Sequence, residues 1–428
     1  MSLLCALACA LAQDPAADLA AAVDLAEPRA RRVAALTLAL RKDVTFEQWL
    51  ATARVFAPGA GAPRSPGAHS VQVELPVLDA VEMTTLHLYV PAGFDAAKPA
   101  PLLMAFHGAG GEGLTMLAEW RATADALGML ICAPTDPQAQ GGYAFTPRER
   151  AAALAALRWA RRRYDVDENR VHLAGSSRGG HLAWDLALRA PDLWASVSPR
   201  IGGPTIVVSG GRNNLRYVEN LAAVPIRDLQ GAEDDAKLLV NLRLAFDRLR
   251  AAGARDAQML EQPGFGHAYD HGAVDWAEWL GGCVREPFPA TLRIRCAEKD
   301  PARIGWVRAA KYGKEVAETF QIRVGAEWDS WDHARQVRYI VELADARTAE
   351  LRVERAADGI LRVSGAQVQR ALLTLPAEYL AAQPKIVVQS GGKEKRVQPR
   401  ASARVLLEDF VERFDRTFLP AAEVEVTL

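Results

Sequence analysis

The chain has 428 residues, half of them hydrophobic and 24% charged, with 51 Lys and Arg against 52 Asp and Glu. Such a composition excludes a disordered chain, and a net charge of −1 gives no field to draw nucleic acid or an anionic membrane. No apolar run reaches the ~20 residues that span a bilayer, and roughly 150 residues per domain predicts two or three domains. The cysteines at 5, 9, 132, 283 and 296 form no C-x-x-C pair, which argues against a zinc ribbon or a thioredoxin-type site.

Residues 1–12, MSLLCALACALA, form an apolar run ending in Ala10-Leu11-Ala12. The pattern predicts a secretory signal and places the protein in the periplasm or outside the cell. Lipidation at Cys9 is disfavoured, because Ala6 stands where a leucine is usual. Residues 16–57 carry apolar residues at helical spacing and read as two short helices. The Gly-, Ala- and Pro-rich stretch 58–70 reads as a linker.

From Val71 the pattern changes. Val71–Leu75 and Leu86–Val90 alternate as strands do. Buried strands at Leu102–Phe106, Met129–Cys132, Arg170–Ala174 and Pro225–Leu229 are each trailed by a helical pattern. Alternation of this kind predicts a mostly parallel sheet covered on both faces over residues 71–284. After Pro287 the period drops to two, at Leu292–Cys296, Phe320–Val324, Leu351–Glu354 and Leu361–Val363. Ser390-Gly391-Gly392 reads as a hairpin turn, followed by one helix near Ala403–Phe414 and a last strand at Val424–Val426. Residues 288–428 are therefore expected to form a separate antiparallel β-sandwich. Its small positive balance gives no reason to expect a polyanionic partner.

The sharpest local signal is Gly175-Ser176-Ser177-Arg178-Gly179, a G-x-S-x-G motif centred on Ser177. Ser176 fails the pattern, because Ala174 and Arg178 would occupy the glycine places. The motif lies between a predicted strand and a predicted helix, the context a nucleophile elbow needs. The bland reading is a glycine-rich βα turn with a capping serine. Upstream, His107-Gly108-Ala109-Gly110-Gly111 follows a buried strand. Backbone N–H groups of Gly108 and Ala109, with that of Arg178, could face a developing oxyanion. A phosphate cradle would need the lysine of a P-loop, which is missing here.

In the chain order Ser…acid…His, the base comes last. His267, in Pro263-Gly264-Phe265-Gly266-His267, is preferred to His271. The acid is expected at Asp234, just past the Pro225–Leu229 strand, with Asp235 and Glu233 as alternates. Asp234 could equally be a helix cap. No metal or cofactor is needed for this chemistry.

With these residues in place, 71–283 resembles the α/β-hydrolase superfamily. It is most similar to secreted bacterial esterases of the polyhydroxybutyrate depolymerase and feruloyl esterase type. The stretch Tyr164–Val171 running into Gly175–Gly180, and His107–Gly111, carry the likeness. One departure stands out: the family's H-G-x-x-D segment has Gln230 in place of its histidine, with Asp234 in the acid place. The resemblance implies a serine carboxylesterase acting through Ser177, Asp234 and His267 on small or polymer-linked esters. A prolyl-oligopeptidase-like serine peptidase and a non-catalytic hydrolase-fold binding protein are the alternatives. The 288–428 region looks like the small sandwich that some planctomycete-type hydrolases carry.

Overall fold

The computed structural model describes residues 14–428 except 60, 137, 206–212, 298–302 and 384. The apolar run of 1–12 lies outside them. The described chain opens with three helices, α1 Pro15–Asp24, α2 Pro28–Ala39 and α3 Phe46–Arg54, where the sequence suggested two. Caps divide them. Asp14 caps α1, Pro28 starts α2 where a proline loses no hydrogen bond, and Thr45 with Gln48 makes a capping box on α3.

An eight-stranded sheet follows. Its strands are β1 Gly67–Val77, β2 Ala80–Val90, β3 Ala100–Phe106, β4 Leu130–Thr135, β5 Val166–Ser176, β6 Ser196–Arg200, β7 Ile226–Gly231 and β8 Ala257–Gln262. They lie in the order β1-β2-β4-β3-β5-β6-β7-β8. Only the β1–β2 and β2–β4 pairings are antiparallel; β4 through β8 run parallel. On one face lie α5 Pro147–Arg163, α6 Arg178–Arg189 and α7 Ala236–Ala251, which bury Leu157, Leu182, Trp184 and Leu242 against the sheet. On the other lie α4 Gly113–Leu127 and α8 Trp276–Gly282, which bury Leu117, Trp120, Trp276 and Leu280. Both faces of the parallel strands are thus covered, as the continuous apolar runs of β3 and β4 required.

The remaining chain forms two further sheets. β9 Thr291–Cys296, β12 Ala349–Arg355, β13 Ile360–Ala366, β15 Ile386–Ser390 and β16 Lys393–Val397 make one. β10 Arg303–Ile304, β11 Val307–Tyr312, β14 Val368–Pro376 and β17 Pro420–Thr427 make the other. The two bury one common cluster, including Ile294, Leu351, Leu373 and Val424. Gly391 and Gly392 hold φ of +54° and +74°, the left-handed pair that a two-residue hairpin needs. Three features differ from expectation. β13 and β15 pair in parallel rather than antiparallel. Two helices beyond the expected one occur, α9 His333–Asp345 and α10 Ala377–Ala382. Phe320–Val324 is irregular; Phe320 instead covers the guanidinium groups of Arg216 and Arg347.

The expected late helix, α11 Ala403–Arg413, packs with the opposite end of the chain. Its Leu406, Leu407, Phe410 and Val411 share a buried cluster with Leu19, Leu38 and Trp49 of α1–α3. Arg158 of α5 ties the parts together, donating to the carbonyls of Val23, Val411 and Glu412. The buried Arg285–Asp415 pair closes at 2.8 Å. Burial alone would raise the Asp415 carboxyl, but Arg285 holds it well below the usual range.

This arrangement changes what a truncation should do. Read as two independent domains, the chain would tolerate a cut near Arg285. With α11 removed, however, the apolar faces of α1–α3 lose their cover, at about 2 kcal/mol for each fully buried Leu or Phe. A chain ending at Arg285 is expected to be insoluble, or to unfold well below the full chain in a thermal melt. A soluble truncated chain with an unchanged midpoint would contradict this.

Candidate active site

Ser177 sits between β5 and α6 with φ of +53° and ψ of −114°, a backbone state that L-residues avoid. The glycines of the motif follow from contact. A Cβ on Gly175 would lie 2.0 Å from the Gly179 carbonyl oxygen, and one on Gly179 2.1 Å from that of Phe106. No side chain fits in either place, so the turn brings β5, α6 and β3 together and lifts the Ser177 hydroxyl off the sheet.

The Ser177 hydroxyl donates to His267 Nε2 at 2.8 Å. His267 Nδ1 lies 2.9 Å from Asp234 Oδ2 and 3.1 Å from Oδ1. Since Nε2 accepts from the serine, Nδ1 carries the ring proton and donates to the carboxylate. The three residues come from the C-terminal ends of β5, β7 and β8. A Cβ on Gly231 would lie 1.8 Å from the Gly266 carbonyl oxygen, so the acid and histidine loops touch backbone to backbone. The His267 ring is half exposed, so the site is open to solvent on that side.

Asp234 does not cap α7. Asp235 does, accepting the Lys237 N–H at 2.9 Å, while Asp234 Oδ1 takes the Asp235 N–H at 2.7 Å. The alternate Glu233 is exposed, with its N–H bound to the Phe265 carbonyl. His271, the competing base, lies in an aromatic pocket. It stacks on Trp276 at 5.3 Å and meets the Trp120 ring edge-on at 4.8 Å. Burial lowers its pKa, partly opposed by Glu119.

The residues expected to supply oxyanion donors lie on two segments next to Ser177. Arg178 is the first residue of α6, where helical N–H groups have no partner within the helix. A Cβ on Gly108 would lie 3.5 Å from Ser177 Cβ, so the loop after β3 passes close beside the nucleophile. Ala109 is the exposed next residue of that loop. His107 holds the loop: its Nε2 accepts the Asp136 N–H at 3.2 Å, which leaves Nδ1 to donate to the Gly108 carbonyl at 2.7 Å. Burial keeps this imidazole's pKa below the usual value.

Some of the supporting residues were not foreseen. The Arg178 guanidinium is buried and turned away from solvent, bound to Glu149 at 2.7 Å and Asp136 at 3.1 Å. Gln230, in the place of the family's histidine, is fully buried and donates to Asp228 and to the Gly202 carbonyl. Asp228 also accepts the Trp184 indole N–H at 2.8 Å, and complete burial pushes its carboxyl up to about 8. The departure at Gln230 thus serves a buried carboxyl beneath the acid loop. Asp228, a carboxyl inside the predicted strand Pro225–Leu229, was the signal that could have flagged this pair.

The mixed sheet, its two helical layers and the elbow after β5 settle the architecture. The fold is that of an α/β-hydrolase. No protein-family model and no curated protein matches the chain. Among solved structures, a thermostable esterase is 22% identical over 51% of this chain, with a TM-score of 0.44. That match spans 63% of the esterase's own length, under two thirds. A ferulic acid esterase from Anaeromyces mucronatus is 14% identical over 51% of this chain and 90% of its own, at a TM-score of 0.40. An acetyl xylan esterase from Aspergillus awamori is 14% identical over 50% of this chain and 99% of its own, also at 0.40.

Within the hydrolase fold, the role of Asp234 can be tested without disturbing the helix cap. Asp234→Asn is expected to lower kcat by roughly 10⁴, because the amide favours the wrong imidazole tautomer. The thermal midpoint should stay near that of the parent, since Asp235 caps α7 in either case. Steady-state kinetics and a melt check both parts. An active Asn variant would remove Asp234 from the mechanism.

Proposed function

We propose that the chain is a serine carboxylic-ester hydrolase. One observation carries the reading: a strained serine whose hydroxyl donates to an imidazole at 2.8 Å, with a carboxylate behind that imidazole at 2.9 Å. His267 takes the Ser177 proton as Oγ attacks the ester carbonyl carbon. The N–H groups of Arg178 and of the Gly108–Ala109 loop stabilise the oxyanion. His267 then gives the proton to the leaving alcohol, and the acyl-Ser177 ester remains. Water, activated by the same imidazole, releases the acid and restores the serine. The half-exposed imidazole leaves room for a bulky ester or one linked to a polymer.

Two further parts belong to the proposal. Residues 288–428, with their two paired sheets, are read as a β-sandwich attached to the hydrolase. Export to the periplasm or beyond is read from the apolar run at 1–12. No helix among the described residues is long and apolar enough to cross a membrane.

The test is a panel of aryl acetates, feruloyl esters and peptide amides offered to purified protein. Turnover of esters with no amide cleavage is expected. Cleavage of amides in preference to esters would favour the peptidase, and no turnover of any would favour a binding protein.

A further inference from the structure

Beneath the elbow, on the α4 side of the sheet, lies a polar cluster that takes no part in the triad. Its centre is Arg200, the last residue of β6, fully buried. The guanidinium lies between the rings of Trp120 and Tyr269, at 4.9 and 5.3 Å from their centroids, and 3.0 Å from Glu119 Oε2. The other Glu119 oxygen lies 2.7 Å from the Tyr269 hydroxyl and 3.4 Å from His271 Nδ1. Tyr269 Oη is also 3.3 Å from Ser176 Oγ. A phenol has one proton, and the nearby carboxylate takes it, so the Ser176 hydroxyl donates to the phenol oxygen.

Each arm of the cluster ends beside a triad residue. Ser176 precedes the nucleophile. The Arg200 carbonyl accepts the Ser177 N–H at 2.8 Å. Tyr269 and His271 lie on the loop that carries His267. Gln262 closes the base of that loop, through the Asp270 N–H at 2.7 Å and the Asp270 carbonyl at 3.0 Å. Its far side is tied down by Tyr269. A buried ion pair is a poor stability device, since apolar residues of like volume serve as well or better. What a charged hub does offer is a fixed geometry among four separate elements.

We propose that Glu119 is a positioning residue for the esterase reaction, holding the His267 loop through Tyr269 and the nucleophile turn through Arg200, so that the Ser177–His267 distance is set from below the sheet. The proposal rests on the serine hydrolase reading. Glu119 touches neither Ser177 nor His267 and acts only through its neighbours.

Tyr269→Phe is the cleanest variant, because it keeps the ring over Arg200 and removes only the hydroxyl. Its kcat on an aryl acetate is expected to fall about tenfold or more, since a misplacement near 1 Å can cost 10²-fold. KM should stay within about twofold, as a residue that acts only by positioning the reacting groups changes kcat rather than binding. The low-field proton resonance of His267 Nδ1–H, assigned by its loss in His267→Ala, should shift or broaden. Glu119→Gln should show the same signature, and the double variant should lose less than the product of the two single losses. If Glu119→Gln fails to fold, Tyr269→Phe decides alone. Unchanged kcat with an unmoved resonance would overturn the proposal, even if the melting point fell. So would a raised KM with kcat intact. Reaction of the wild type with a fluorophosphonate keeps the two readings apart: an unreactive wild type refutes the hydrolase, and a reactive one with unaffected variants refutes only the positioning role.

Discussion

Ser177→Ala should lower kcat on a soluble aryl acetate by about 10⁵- to 10⁶-fold, the scale found when a triad nucleophile is removed. Nothing else in the site can replace it. Ser176 faces the other side of the sheet, where its hydroxyl meets Tyr269. His267 would be left without an acyl acceptor, and water would have to attack directly. The oxyanion donors are backbone groups, so they survive the change, and a residual rate above the uncatalysed one should persist. The fold should persist too. The Ser177 backbone keeps its bonds through its N–H to Arg200 and its carbonyl to the His181 N–H, and alanine at φ of +53° is as strained as serine. Kinetics and a thermal melt on the same preparation separate lost chemistry from lost structure.

His267→Ala should cost a similar factor, because one imidazole both activates the nucleophile and protonates the leaving group. His271→Ala provides the contrast. Its ring is wedged between Trp120 and Trp276 and pairs with Glu119 at 3.4 Å. Its loss should fall short of the His267 loss by about three orders of magnitude or more, whatever it does to the loop. Equal losses at the two positions would mean that the loop, rather than the base, had been measured. A loss confined to His271 would overturn the assignment.

The elbow was legible because its chemistry leaves a mark on sequence. Glycines two residues either side of Ser177 are forced by backbone contacts near 2 Å, and nothing smaller exists. Asp234 and His267 were legible through chain order, strand ends and glycine-flanked loops. What separated Asp234 from its neighbours was not legible: whether Asp234 or Asp235 caps α7 depends on one residue of backbone direction. β6 was missed altogether. Its sequence, Ser196-Val197-Ser198-Pro199-Arg200, has the polarity of a loop, yet every residue is buried. Ser196 meets His172 at 2.9 Å, and Arg200 finds two rings and a carboxylate. Conversely, Phe320–Val324 alternates like a strand but is irregular, its Phe320 covering Arg216 and Arg347 instead, a tertiary override of a sound local pattern. The union of α11 with α1–α3 joins opposite ends of the described chain, beyond the reach of any periodicity. The Glu119 cluster is hidden for the same reason, since Glu119 and Tyr269 are 150 positions apart.

In the proposed reaction one serine, Ser177, is the nucleophile. The most direct measurement treats the full chain with a fluorophosphonate, counts adducts by intact mass, and locates them by peptide mapping. A single adduct on Ser177 is the predicted result, absent in Ser177→Ala and formed far more slowly in His267→Ala. An adduct on Ser176 or on any other serine, or ester turnover by a chain that takes up no probe at Ser177, would contradict it.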